Sequence, residues 1–289
     1  MAARQSRKEA SSENSAGDLR DKDEGSSGWW LGFYEKRERT LPDLTTLTWM
    51  ASYNRFLFER LSGEVRARSR SAKQVRVWDA GAGVDLVPYK LKETFGETIS
   101  LTISDISEIC IQANKRSFDK AGLKADFVVG DLFNASFVEE FDIVMNTGLL
   151  EHFSRGQQEE LLRVISRSLR PGGVFMTLVP SAGGKLYVHC MRRITEKGKW
   201  EHEDEHPVTT FKGLEMGDLE LVEEVSVGAV DQFASFRVAY PLMSSLAAPA
   251  IALFEVLPAA EPLLERVIGG YCLFARFVKK ADSGKARSE

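Results

Sequence analysis

Val75-Arg76-Val77-Trp78-Asp79-Ala80-Gly81-Ala82-Gly83 is a β-rich run that ends in an acid and opens into two glycines, with a helix pattern starting at Leu86. A strand, a glycine turn and a helix in that order make a nucleotide-type loop. Glycine allows tight turning and lets backbone N–H groups approach a ligand closely. A dinucleotide site requires Gly-x-Gly-x-x-Gly with the pyrophosphate at the helix N-terminus. Leu86 stands at the third glycine position, so that fingerprint fails. Asp79 would also repel a pyrophosphate and is better suited to a ligand carrying an ammonium group.

The sequence on either side of this loop alternates. Helix patterns are expected at Leu86–Phe95, Glu108–Ala121 and Gln157–Leu169, the last ended by Pro171-Gly172-Gly173. Strands are expected at Thr98–Ser104, Asp126–Val129, Phe141–Asn146 and Val174–Val179. Such β-α alternation implies a parallel sheet covered by helices on both faces. Residues 181–210 break the rhythm with polar residues and are expected to be an insertion. A helix near Phe211–Met216, a strand at Leu219–Val227, an apolar helical region at Phe236–Val267 and a last strand at Tyr271–Lys279 follow. Upstream, Thr45, Leu47, Met50, Tyr53, Leu57 and Leu61 recur at helical spacing, with Asp43 or Thr45 as the cap.

Several segments resemble class I S-adenosylmethionine-dependent methyltransferases, in the order that family uses. Asp79-x-Gly81-x-Gly83 is similar to its first motif, with Asp85 replacing the usual third glycine. Ile103-Ser104-Asp105-Ile106 ends the second strand, and Val129-Gly130-Asp131-Leu132 the third. Phe141-Asp-Ile-Val-Met-Asn-Thr-Gly-Leu-Leu-Glu-His-Phe153 is close to the family's fourth-strand segment, and Leu169-Arg-Pro-Gly-Gly-Val174 to its turn into the fifth strand. The resemblance covers about residues 74–180. It implies an α/β Rossmann-like fold: a doubly wound, mostly parallel seven-stranded sheet with an antiparallel last strand.

S-adenosyl-L-methionine is the implied cofactor, a ligand with an ammonium group and no phosphate. Asp79, Ala80, Gly81 and Gly83 would hold its methionine side. Asp105 and Ile106 would meet the ribose, with a carboxylate able to accept from both hydroxyls. Asp131 and Leu132 would meet the adenine. Asn146 and Thr147 would line the methionine side from the fourth-strand exit.

Methyl transfer from a sulfonium is an in-line displacement in which the enzyme mainly aligns and dries the reactants. His152 is the base candidate beside the expected methyl position, and Glu151 its partner. The alternative is that both merely organise the loop. In relatives that hold a divalent cation near this histidine, a second acid would fall near Thr147, so no metal is expected. His202-Glu-Asp-Glu-His206 spells a zinc-protease motif, but Pro207 follows at once and the surroundings are acidic, so a solvated loop is expected instead.

The acceptor pocket would be built by the variable segments: Tyr34, Trp49 and Tyr53 from the N-terminal helices, Tyr187 and His189 from the insertion, and Phe233 from the later helical region. Ordinary packing explains any one of these aromatics, while their number suggests a covered, partly apolar pocket. The fourth-strand exit lacks an Asn-Pro-Pro-Tyr loop, and no Pro-Cys nucleophile is present, which disfavours nucleic acid. A small organic acceptor is the expected partner. The alternatives are a non-catalytic S-adenosylmethionine-binding regulator or scaffold, and a protein or RNA methyltransferase.

The bulk properties agree. The chain has 289 residues, 43% of them hydrophobic, and a net charge of -4, without the basic surplus of a nucleic-acid binder. Cys110, Cys190 and Cys272 are scattered, which argues against a disulfide framework and for a reducing, cytoplasmic setting. Residues 1–28 and 281–289 are polar and expected to be disordered tails. Residues 29–73 would form a helical cap, and 74–280 the methyltransferase domain, with insertions at 181–210 and 231–268. Leu242–Leu257 is apolar but contains Pro249 and Glu255, so stable membrane insertion is not expected. A homodimer is compatible with the sequence.

Overall fold

The computed structural model describes residues 27–48, 50–199, 205–243 and 260–281, with 249 and 252 as single residues. Seven strands form one sheet: β1 Val75–Ala80, β2 Ile99–Asp105, β3 Asp126–Val129, β4 Phe141–Thr147, β5 Leu169–Pro180, β6 Leu219–Val227 and β7 Cys272–Lys279. Their order is β3-β2-β1-β4-β5-β7-β6. β1 to β5 pair in parallel, and β7 runs antiparallel between β5 and β6. β1 therefore sits between β2 and β4, where the winding reverses. In open sheets of this kind the ligand crevice lies beyond the strand ends at that point.

Both faces of the sheet are covered, which explains why its central strands are buried along most of their length. Val75 and Val77 of β1 join one core with Leu57, Leu61 and Val65 of α2 (Ser52–Arg68). α3 (Leu86–Phe95) and α4 (Glu108–Ala121) contribute Val87, Leu91, Ile111 and Phe118 to the same core. Trp78 and Ala80, which alternate with the valines, join a second core with Leu161, Leu162 and Ile165 of α5 (Arg155–Ser168). Local signals set the ends of these helices. Asp85 caps α3, accepting from Val87 N at 2.8 Å. Ser107 caps α4, and Gly122 ends it with φ +68. Ser154 and Gln157 form a capping box on α5.

The structure departs from the sequence expectations in four places. Asp43 caps a short 3-10 turn, Leu44–Thr46, and not the main helix. That helix, α2, is capped from 178 residues away: Asp231 accepts from Tyr53 N at 3.2 Å and from Ser52 Oγ at 2.7 Å. α1 (Ser27–Glu35) is a separate helix. The 181–210 segment carries a helix of its own, α6 (Lys185–Glu196), which buries Tyr187, Cys190 and Ile194. Phe211–Met216 is not helical. Pro171-Gly172-Gly173 lies within β5, which already pairs at Leu169 with Phe141.

Of the region 236–267, the described parts are the end of α7 (Gln232–Ala239), the turn Pro241–Met243 and most of α8 (Glu261–Ile268). Most of Leu242–Leu257 lies outside the described residues. Among those residues, no helix is long and apolar enough to cross a membrane.

Candidate active site

β1 carries Asp79 up to the glycine turn that follows at Gly81. The residue is completely buried, and neither carboxylate oxygen has a hydrogen-bond partner among the described residues. Burial pushes its pKa well up, and the nearby carboxyls of Asp85 and Asp105 push it further. A buried carboxylate without a donor or counter-charge is costly, so the position favours a ligand that brings a positive charge. An orphaned acid at this point fits a ligand with an ammonium group.

The next turn is built for close approach. Gly81 has φ +73, and a Cβ there would stand 2.9 Å from a Leu149 methyl and 3.1 Å from one of Leu132. Gly83 has φ +50, and its Cβ would meet the Tyr34 hydroxyl at 2.9 Å. The N–H groups of Gly81 and Ala82 both donate to Ser104 O at 2.9 Å. Asp105 ties the loop down: Oδ2 accepts from Gly83 N and Oδ1 from Ser107 N, each at 2.8 Å. Its pKa is nevertheless raised, because burial outweighs these backbone bonds. Asp131 accepts from Phe133 N at 3.0 Å. Asp85, in the place of a third glycine, has its pKa raised by burial and accepts from Thr147 Oγ1 at 2.8 Å, which links the glycine loop to the β4 exit.

Three cavities meet along this edge, and Tyr34 of α1 and Gly148 line all of them. The first, about 80 Å³, is bounded by Gly81, Asp105, Ile106, Asp131 and Leu132, with Trp30 closing it. The second, about 500 Å³, runs from Gly83 and Asp85 to Tyr53 and Thr147. The third, about 390 Å³, lies beyond Gly148 and is lined by Trp30, Tyr53, Glu151, His152, Glu205 and Tyr271. The crevice thus has a glycine-loop arm and an aromatic arm with a shared floor. Among the described residues, no group of three or more His, Cys, Asp or Glu side chains could hold a metal ion.

The aromatic arm is unusual in its acids. Glu151 is 2% exposed, and its Oε2 has no hydrogen-bond partner. Its Oε1 stands 3.4 Å from where a Gly148 Cβ would be, and 3.7 Å from His152 Nε2. Burial drives its pKa well up, and the Glu205 carboxyl adds to the shift. Burial raises Glu205 as well, partly offset by the hydroxyl that Tyr187 donates to it. The His152 ring meets Trp30 edge to face at 4.8 Å.

The expected site residues fall into two groups. Asp105, Ile106, Asp131, Leu132, Gly81, Gly83, Thr147, Glu151, His152, Tyr34 and Tyr53 all line the crevice. Asp79 and Ala80 lie buried beneath it. Asn146 is buried and accepts from Thr177 Oγ1 at 2.5 Å, and lines none of these cavities. Tyr187 lines none of these cavities and touches the aromatic arm through Glu205 and the Tyr271 ring, 4.8 Å away. His189 is exposed on α6 and pairs with the Tyr240 hydroxyl, and Phe233 is half-buried on α7 away from the cavities. Trp49 lies outside the described residues, as does His202 of the zinc-like motif. The described end of that motif, Glu205–Pro207, is not helical, so it does not present the helix face a zinc protease needs.

Sequence reasoning missed Trp30, Glu205 and Tyr271. The Trp29-Trp30 pair at the first ordered turn was a visible signal for one of them.

Comparison with known proteins agrees with this geometry. A family model described as a methyltransferase domain matches residues 77–173, from within β1 to the start of β5. An O-methyltransferase of Penicillium aethiopicum is 24% identical over 177 residues, which make up 60% of this chain and 40% of the relative. The chain therefore spans less than half of that relative's length.

Among solved structures, the [4+2]-cyclase SpnF superposes with a TM-score of 0.56 at 16% identity, covering 89% of this chain and 97% of that one. A geranyl diphosphate methyltransferase in complex with GPP and sinefungin gives 0.51 at 12% identity, covering 76% of each chain. At such identities the structural likeness is one of fold. Over residues 77–173 the chain thus resembles a methyltransferase domain, and the match falls on this strand order with an orphaned acid and a glycine turn at the β1 exit.

Proposed function

We propose that this protein transfers the methyl group of S-adenosyl-L-methionine to a small organic acceptor held in the aromatic arm of the crevice. The observation that carries this reading is the shared floor at Tyr34 and Gly148, which joins the glycine-loop arm to a separate cavity of about 390 Å³. A donor and an acceptor lying in the two arms would meet there. When bound, the cofactor supplies a methyl group activated by the positive charge on its sulfur.

The chain's own residues do the rest. Asp79 faces the ammonium of the methionine end, Asp105 the ribose, and Asp131 with Leu132 the adenine. Trp30, Tyr34 and Tyr53 exclude water and hold the acceptor in line, which removes much of the entropic cost of bringing two reactants together. His152, on the wall of the aromatic arm, takes the acceptor's proton where the acceptor has one to lose.

Formation of S-adenosylhomocysteine, measured against a panel of small phenols, carboxylates and amines, tests this reading. At least one class should give turnover, and that turnover should fall at least tenfold in His152→Ala while cofactor affinity stays within a factor of three. Cofactor binding without turnover on any class, with RNA and protein substrates included, would favour the non-catalytic alternative.

A further inference from the structure

The acids of the aromatic arm have no lysine or arginine lining it beside them among the described residues. Glu151 and Glu205 both line it, and Glu151 is almost wholly buried with one oxygen unpartnered. His152 is the nearest basic group, and at 3.7 Å it lies beyond hydrogen-bonding range of Glu151. Arg37 covers the outer ring of Phe33 at 3.7 Å and does not line the arm.

The walls also carry the rings of Trp30, Phe33, Tyr34, Tyr53 and Tyr271. Tyr53 and Tyr271 lie 5.2 Å apart and tilted. Aromatic faces attract a cation through their quadrupole, and more strongly where water is excluded. An unpartnered buried carboxylate costs free energy unless a positive donor meets it. Acid and rings therefore select for the same ligand charge. An uncharged phenol or alcohol could donate an O–H to the acid, but it would leave the acid's charge unbalanced and the rings without a cation.

We propose that the acceptor is a small amine that enters as an ammonium ion, held by Glu151 and Glu205 within the Trp30, Tyr34, Tyr53 and Tyr271 rings, and is methylated on nitrogen. The proposal rests on the methyl-transfer reading above. The ammonium, held by the Glu151 carboxylate, gives one N–H proton to His152, which leaves a neutral amine. The amine nitrogen then forms a bond to the methyl carbon with its lone pair as the carbon–sulfur bond breaks and sulfur keeps that pair. The positive charge passes from sulfur to the methylated nitrogen. Glu205, held by the Tyr187 hydroxyl, positions the amine.

The test is calorimetric binding of phenethylamine and of its neutral counterpart 2-phenylethanol to the full chain saturated with S-adenosylhomocysteine. Phenethylamine should bind at least tenfold more tightly, and the preference should shrink to within threefold in Glu151→Gln. That variant keeps the side chain's shape, and circular dichroism checks its fold. Glu205→Gln should lose part of the preference.

Equal affinities, tighter binding of the alcohol, or no binding of either compound overturns the proposal. So does an unchanged preference in Glu151→Gln, which would mean that this acid answers the sulfonium alone. The methyl-transfer reading is judged separately by the saturation step. If S-adenosylhomocysteine itself fails to bind the folded protein, both fall. If it binds and only the amine preference is missing, the amine proposal falls and the methyl-transfer reading stands.

Discussion

Asp79 combines a structural penalty with a functional gain. Its carboxyl is fully buried and unpartnered, and its pKa is raised first by burial and then by Asp85 and Asp105. The folded state therefore holds this proton more tightly than the unfolded chain, whose value is near 3.8. Between that value and the raised one, folding takes up a proton, and the residue's contribution to stability declines as pH rises. Asp79→Asn removes that decline. The variant's stability relative to the native protein should increase from pH 5 to pH 8, as read by denaturant melts of the ligand-free proteins. A constant or shrinking difference would show that the acid is paired. Cofactor affinity should move the other way: loss of a charge-assisted hydrogen bond costs about 1.5–3 kcal/mol, or roughly 10- to 100-fold.

Elements place these residues, and their sequence patterns were unevenly legible. The strands and helices of the sheet's first half show in the sequence because each has one clean period: Val75 and Val77 face one core, Trp78 and Ala80 the other. α6 is masked in the sequence because Lys185, Arg192, Arg193 and Glu196 surround Tyr187, Cys190 and Ile194, although these three keep helical spacing. At Phe211–Met216, buried Phe211 and Leu214 imitate helical spacing, but Gly213 at φ +76 interrupts it. The cap of α2 was not readable because Asp231 comes from the far end of the chain. Asp231→Ala should leave the N–H of Tyr53 unpaired, cost about 1–2 kcal/mol of stability in denaturant melts, and raise KM more than it lowers kcat, because Tyr53 lines both large cavities. A purely global loss of stability, with KM unchanged, would show that the cap does not position the site. α1 makes a parallel case. Trp30 lines the first and third cavities and packs on His152. Trp30→Ala should speed cofactor release several-fold in stopped-flow displacement, with little change in the melting temperature.

At the scale of the whole molecule, the reversal of strand order around β1 opens one crevice whose two arms share Tyr34 and Gly148. The glycine-loop arm was legible because its residues fall at strand ends in chain order: Asp79, Asp105, Asp131 and the β4 exit. The aromatic arm was legible in part, at Tyr34, Tyr53, Glu151 and His152, but Glu205 and Tyr271 come from distant parts of the chain. Glu205 follows α6, and Tyr271 precedes β7, whose antiparallel pairing with β5 brings it beside the β4 exit. The central claim is that the buried acid under the glycine loop is the ammonium site of S-adenosylmethionine. Calorimetric titration with S-adenosylhomocysteine, in two buffers of different ionisation enthalpy, tests it most directly. One site per chain is expected, with release of protons on binding as Asp79 ionises and at least tenfold weaker binding by a folded Asp79→Asn variant. Equal affinity in the two proteins, or no binding by the folded native chain, would contradict it.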